Sequence, residues 1–219
     1  MQTNNQIQNM EVPRELVIFD CEMSGTDPRF HHIIEIGAVK IDTHTGELLG
    51  TFVRLVKFPF GAPYEKEALR ITGFDYTRWK QYAIPLTASL REFKQFIGSA
   101  GLAAWGCATD IEFLSAACRK TGVELNLDEI FDIQTVASRW GVRRKLSAAA
   151  ETLLIATSLF HRATVDAVVT ACIFCKLFGL DISEALQKCL GTDFRSTLRQ
   201  LKQTRGNSNE SVNWCAQAV

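Results

Sequence analysis

The chain has 219 residues, 47% hydrophobic and 22% charged, which is enough apolar material for the core of one ordinary domain and too little charge for a disordered protein. Lys plus Arg and Asp plus Glu both number 24, so the formal net charge is zero, and a polyanionic partner would have to be held by local basic groups or by metal and not by a general positive field. The strongly apolar run from Ala163 to Leu180 contains Asp166 and Lys176 and reads as a buried helix, not a membrane span, while residues 1–10 are polar and lack a secretory core, so a cytoplasmic protein with no membrane partner is expected.

In chain order, Leu16 to Phe19, Ile33 to Ile41 and Leu48 to Val56 are β-favouring runs, the last two joined by a turn over Thr43 to Gly46. Leu86, Leu90, Phe93 and Ile97 follow helical spacing, with Gly98 in a C-terminal capping position. Leu102 to Trp105 reads as a brief strand that runs into a helix, with Thr109 and Glu112 at capping-box spacing and Gly122 as the stop. Ile130 to Ile133 is a further strand, and Leu146 to Leu154 and Ala163 to Phe178 are helices, the second closed by Gly179. A three-strand meander followed by alternating helix and strand predicts an α/β domain with a mixed sheet flanked by helices. The expected organisation is a flexible N-terminus over 1–12, the main domain over 13–180, and a helical appendage with a mobile tail over 181–219. Seven cysteines, odd in number and mostly in apolar surroundings, suit a reducing compartment; Cys172 and Cys175 form a CxxC but lie mid-helix and read as core, against a zinc or redox alternative.

The carboxylates carry the chemical signal. Asp20 and Glu22 are two apart at the end of a strand, so they share a face, and such a pair is costly except as ligands to hard divalent cations. Asp110 falls in the first turn of a helix, where the dipole alone would favour an acid. Asp166 is surrounded by Val165, Ala167, Val168 and Val169, where an ionised carboxylate needs a partner or a metal. His161 lies five residues before it, about 140° away on a continuous helix at ~3.6 residues per turn, so the two share a cavity only if His161 belongs to the preceding loop. Glu35 is a further acid, inside the second strand.

The segments LVIFDCEMSGTDP, IIEIGAVK, AAWGCATDIEFL and HRATVDAVVTACIF, in that order, resemble the DEDDh branch of the DnaQ-like 3′–5′ exonucleases, over a stretch from about Leu16 to Leu180. The resemblance implies a ribonuclease H-like fold and a site of Asp20, Glu22, Asp110, His161 and Asp166, with the four carboxylates holding two Mg2+ or Mn2+ ions roughly 3.5–4 Å apart and His161 taking a proton from the attacking water. It further implies hydrolysis from the single-stranded 3′ end of RNA or DNA, with release of nucleoside 5′-monophosphates. Where many members carry Thr-Thr after the first Glu, this chain has Met23 and Ser24, similar to the oligoribonuclease version; both fall where the terminal nucleotide would be gripped, and with the Trp-Gly ahead of the second motif they favour RNA slightly. Gly106 to Thr109 replace the His-Asn that many members have there. Arg139, Arg143, Arg144 and Lys145 around Trp140, and Arg195, Arg199, Lys202 and Arg205, are candidate phosphate contacts. The alternative is a binding module of the same fold that has lost activity, which filled catalytic positions argue against. Nothing in the sequence specifies an oligomeric state.

Overall fold

The structure is a computed structural model that describes residues 11–196 and 198. Its frame is a five-stranded sheet in the order β3-β2-β1-β4-β5. β1 (Glu15–Met23), β2 (Ile33–Asp42) and β3 (Leu48–Leu55) form the expected antiparallel meander, and β4 (Gly101–Ala104) and β5 (Ile130–Asp132) add parallel to it. This mixed sheet flanked by helices is the ribonuclease H-like α/β arrangement that the motifs imply.

Strand alternation sorts the core into two layers. Leu16 and Ile18 of β1 face α7 (Ala163–Leu177), together with α5 (Ile133–Arg139), α6 (Leu146–Thr152) and α8 (Glu184–Cys189). Val17, Phe19 and Cys21 point the other way, into the layer made by α3 (Leu86–Ile97) and α4 (Ala108–Thr121). α4 is amphipathic in burial, whereas nearly all of α7 is buried, which explains why its sequence lacks helical periodicity and reads as one apolar run.

Three short helices escape the sequence pattern: α1 (Lys66–Ile71), α2 (Tyr76–Tyr82) and α5. Each has two turns or fewer, too few for a hydrophobic stripe to register, and their stability comes from tertiary packing. The capping box over Thr109 and Glu112 does not form. Gly106 adopts φ +65°, its N–H donates to Asp132 Oδ1 at 3.0 Å, and the helix starts earlier, with Cys107 as N-cap and Thr109 inside the first turn. Gly122 closes α4 in the left-handed conformation, as expected.

α8 packs against α7, and Leu186, Phe194 and Leu198 join the core on that side. A boundary near residue 180 is therefore a boundary of sequence similarity and not of packing. The expectations for residues 1–10 and for the tail beyond Leu198, including Arg199, Lys202, Arg205 and Cys215, lie outside the described residues.

Candidate active site

Asp20 and Glu22 occur on β1 at the same parity as Leu16 and Ile18, so both project toward the α7 layer. Across the ladder, Asp20 is paired with Gly37 of β2. A Cβ at Gly37 would lie 2.0 Å from the backbone nitrogen of Thr164, so the missing side chain is what lets the first turn of α7 rest on the strand. Thr164 fixes that contact by donating from Oγ1 to the carbonyl of Phe52 on β3 at 3.1 Å. Asp166, two residues further along α7, is thereby carried over Asp20 and Glu22.

The second motif is tied to the first by one hydrogen bond. Asp110, in the first turn of α4, accepts at Oδ1 from the backbone N–H of Cys21 at 3.0 Å, and Cys21 stands between Asp20 and Glu22. His161 occupies the loop before α7 at φ +61°, a conformation that costs a non-glycine residue energy and is often found at functional sites. Its backbone N–H donates to Asp166 Oδ2 at 3.0 Å, which folds the loop back. As a result Glu22, His161 and Asp166 each offer a ligand atom within 4.8 Å of the others, the metal-type cluster of this kind found among the described residues.

Among the described residues, none of these four acids has a cation within salt-bridge distance. Burial pushes the Asp20 carboxyl well above its ordinary range, and Asp110, Asp166 and Glu22 add to the rise. Burial also raises Glu22, with Glu35 and Asp166 reinforcing it and Arg195 opposing. Asp110 is pushed up to about 7 by burial against the Cys21 hydrogen bond, and Asp166 to about 7 by burial against the N–H of His161. The Oδ1 atom of Asp166 is buried with no hydrogen-bond partner, a costly state for a carboxylate that a bound cation would relieve. His161 is lowered by burial, then by Lys145 and Arg162, so its imidazole is neutral at pH 7. An all-carboxylate donor set with one neutral imidazole at its edge fits a hard divalent ion such as magnesium or manganese.

Other residues singled out in the sequence fall differently. Ser24 is fully buried, its hydroxyl accepts from the N–H of His32 at 3.0 Å, and it therefore shapes the β1–β2 loop and is not itself exposed to a nucleotide. Met23 is half-buried at the end of β1 against the α3/α4 layer. Arg195 is not a surface phosphate contact: it is 2% exposed, and Nε donates to Glu35 Oε2 at 2.8 Å with a second bond to the same oxygen from Nη2. Lys145 is close enough to act on His161, while Arg144 is held by Trp105 Nε1, which donates to its carbonyl at 2.8 Å, and donates from Nη2 to Gln134 Oε1 at 3.4 Å. Cys172 and Cys175 are buried free thiols, pushed by burial up to about 12 and about 11, which makes them core residues and poor nucleophiles. The role of Arg195 carried no local signal, since its partner is 160 residues away in the chain; Gly37 was passed over, although a glycine inside a strand is a signal that could have found its close backbone approach.

The fold agrees with comparisons to known proteins. Residues 17–174 match the RNase_T family model, described as Exonuclease. The chain belongs to this exonuclease family. Its motif set resembles that of the DEDDh branch of the DnaQ-like 3′–5′ exonucleases. Among curated proteins it is similar to a DNA polymerase III of PolC type from Staphylococcus aureus, 27% identical over 167 residues, covering 74% of this chain and 11% of the relative. The chain thus spans about a tenth of the length of the curated relatives it matches. Among solved structures it resembles the nuclease domain of 3′hExo, described as a DEDDh family member bound to rAMP, with TM-score 0.66 and 20% identity over 80% of this chain and 98% of that one. It also resembles E. coli Exonuclease I in complex with a dT13 oligonucleotide, with TM-score 0.64 and 15% identity over 74% of this chain and 41% of that one.

Proposed function

We propose that this chain removes nucleotides from the 3′ end of single-stranded RNA or DNA, releasing nucleoside 5′-monophosphates, with Asp20, Glu22, Asp110, His161 and Asp166 as its catalytic set. The observation that carries the reading is the convergence of four buried or half-buried carboxylates whose protonation is forced upward, one of them with an oxygen left unpartnered. Such a cluster is unfavourable at neutral pH unless cations neutralise it.

Asp20, Glu22, Asp110 and Asp166 would hold two magnesium or manganese ions, which when bound lower the pKa of water and offset charge on the departing 3′ oxygen. The His161 imidazole, neutral at pH 7, receives the proton of the attacking water at a ring nitrogen. Asp166 also positions that base, because its Oδ2 holds the loop that presents the imidazole. Cys21, through its backbone N–H, keeps Asp110 turned toward β1. Met23, at the end of β1, is a candidate contact for the terminal nucleotide, with Ser24 acting through the loop it braces. Arg144 and Lys145 supply positive charge for the phosphates. RNA is favoured by the likeness of Asp20 to Gly25 to RNA-trimming members, and the buried free cysteines suit a cytoplasmic location. Among the described residues no helix is long and apolar enough to cross a membrane.

The test uses single-stranded RNA and DNA labelled at either end, with magnesium, with manganese and with EDTA. Stepwise loss from the 3′ end is expected, with no product in EDTA and none from Asp20→Ala. For His161→Ala, a rate lower by about 10²–10⁴ with metal binding retained is expected; an unchanged rate would assign the proton to another group. Products arising from the 5′ end, or activity that survives Asp20→Ala, would overturn the proposal.

A further inference from the structure

β1 and β3 run in the same direction, each being antiparallel to β2, so the end of β3 opens at the same edge of the sheet as Glu22 and Met23. The chain leaving β3 there forms a loop that is held at both roots. The N–H of Lys57 donates to the Ile84 carbonyl at 2.8 Å, and the N–H of Glu65 donates to the Ser24 carbonyl at 2.8 Å, directly after the first catalytic motif. Glu65 also takes hydrogen bonds from the backbone and hydroxyl of Thr26, at 3.0 and 2.7 Å. The loop is therefore braced against the segment that carries Asp20 and Glu22.

Between this loop and α2 lies a cavity of about 670 Å³ whose walls are mostly aromatic, among them Phe58, Phe60, Tyr64, Phe74, Tyr76 and Trp79. Most of its lining is apolar, yet three of the rings face solvent: Phe60 is fully exposed, Tyr64 half so, and Tyr76 is 69% exposed. Rings in this number have no structural reason to stay in water. Lys57 and Lys80 also line the cavity, and among the described residues neither has a carboxylate within salt-bridge distance. Exposed rings alternating with unpaired ammonium groups form a surface on which bases stack and phosphates are neutralised, whatever the sequence.

We infer that this aromatic cavity holds the upstream part of a single-stranded nucleic acid whose 3′ end lies in the active site. The inference rests on the exonuclease reading and adds a second contact region to it, one that only substrates of several nucleotides reach. An apolar protein segment is the competing occupant, but it would gain nothing from the two lysines.

The probes are a dinucleotide and a dodecamer with the same 3′ end, as RNA and as DNA, together with a 3′-blocked fluorescent dodecamer for anisotropy. Phe60→Ala combined with Tyr76→Ala alters exposed side chains, and an unchanged thermal midpoint verifies the fold. The ratio of kcat/KM for dodecamer over dinucleotide is expected to fall on the order of tenfold, with a similar loss of affinity for the blocked strand. Lys57→Gln with Lys80→Gln should flatten the dependence of log Kd on log salt by about 1.4, at about 0.7 per single-strand phosphate contact. Unchanged affinity and an unchanged ratio in both double variants would overturn the inference and leave the cavity to a protein segment. Anisotropy needs no hydrolysis, so an inactive protein that loses affinity on substitution would sink the exonuclease reading alone, and an active one with unaltered affinity would sink only this one.

Discussion

Glu22 and Glu35 face one another across the β1–β2 ladder, both buried, and their fates differ. Glu35, 1% exposed, has a guanidinium of its own: Arg195 binds its carboxylate from two nitrogens, lies 4.9 Å from the centre of the Trp79 ring, and donates to the Gly73 carbonyl at 3.3 Å. Glu22 has acids on its other side, with Arg195 a weaker and more remote influence. One acid is thus paired by the fold itself, and the other, among the described residues, has no cation within salt-bridge distance. The difference separates a carboxylate that supports the site from those that can bind a metal, and it does so without reference to any relative, since Arg195 lies outside the stretch matched to the family.

The pairing is broken most directly by Arg195→Met. Removing one partner of a buried pair should cost about 3–5 kcal/mol in urea unfolding, whereas Glu35→Gln together with Arg195→Met should recover most of that loss, because no charge is then left unmatched. A single variant as stable as the double would mean that Glu35 does not depend on Arg195.

A broader effect concerns the acids that lack such a partner. Asp110 and Asp166 are raised in the folded protein from an ordinary 3.8 to about 7, so the metal-free fold binds protons more tightly than the unfolded chain does. The stability this confers is complete below about pH 4 and is lost as the pH rises through about 7. Asp20, Glu22 and Glu35 are raised as well and act in the same direction, while His32 and His161, lowered by burial, act against it near their own range. In EDTA the melting temperature should therefore fall between about pH 5 and pH 8, and magnesium or manganese should raise it more at the upper pH. A melting temperature indifferent to metal at pH 8 would remove the basis for placing cations among these groups.

Least in magnitude, Glu22→Gln should stabilise the metal-free protein by about 0.2–1 kcal/mol, the scale of a cross-strand side-chain pair, because it removes one acid from a buried acidic cluster, while abolishing nuclease activity. The same change at Glu35 leaves Arg195 buried and unmatched and should destabilise. Two identical substitutions on facing residues with opposite effects on stability would be the sharpest form of the contrast.

Much of this is legible in the chain because it depends on local periodicity. Side chains two apart on a strand share a face, so Asp20 and Glu22 converge whatever surrounds them; an apolar run with a lone acid near its start identifies α7 and Asp166; glycine just past a periodic segment ends α4 in the left-handed conformation. The order of the motifs then implies the fold. The short helices α1, α2 and α5 are not legible, since six or seven residues hold too little pattern, although the Asp75 and Asp132 caps of the latter two are present in the sequence. The resemblance places Ser24 at the grip on the terminal nucleotide, and nothing near it in sequence reveals that the His32 amide occupies its hydroxyl.

What the sequence determined by itself, then, is which residue types stand on which face of which element. Only the tertiary structure decided which acids have partners. Arg195 finds Glu35 across 160 residues, the loop of His161 closes on Asp166, and Gly37 admits α7 to the sheet. Charge compensation in a buried site depends on distance in space, and positions along the chain do not encode it.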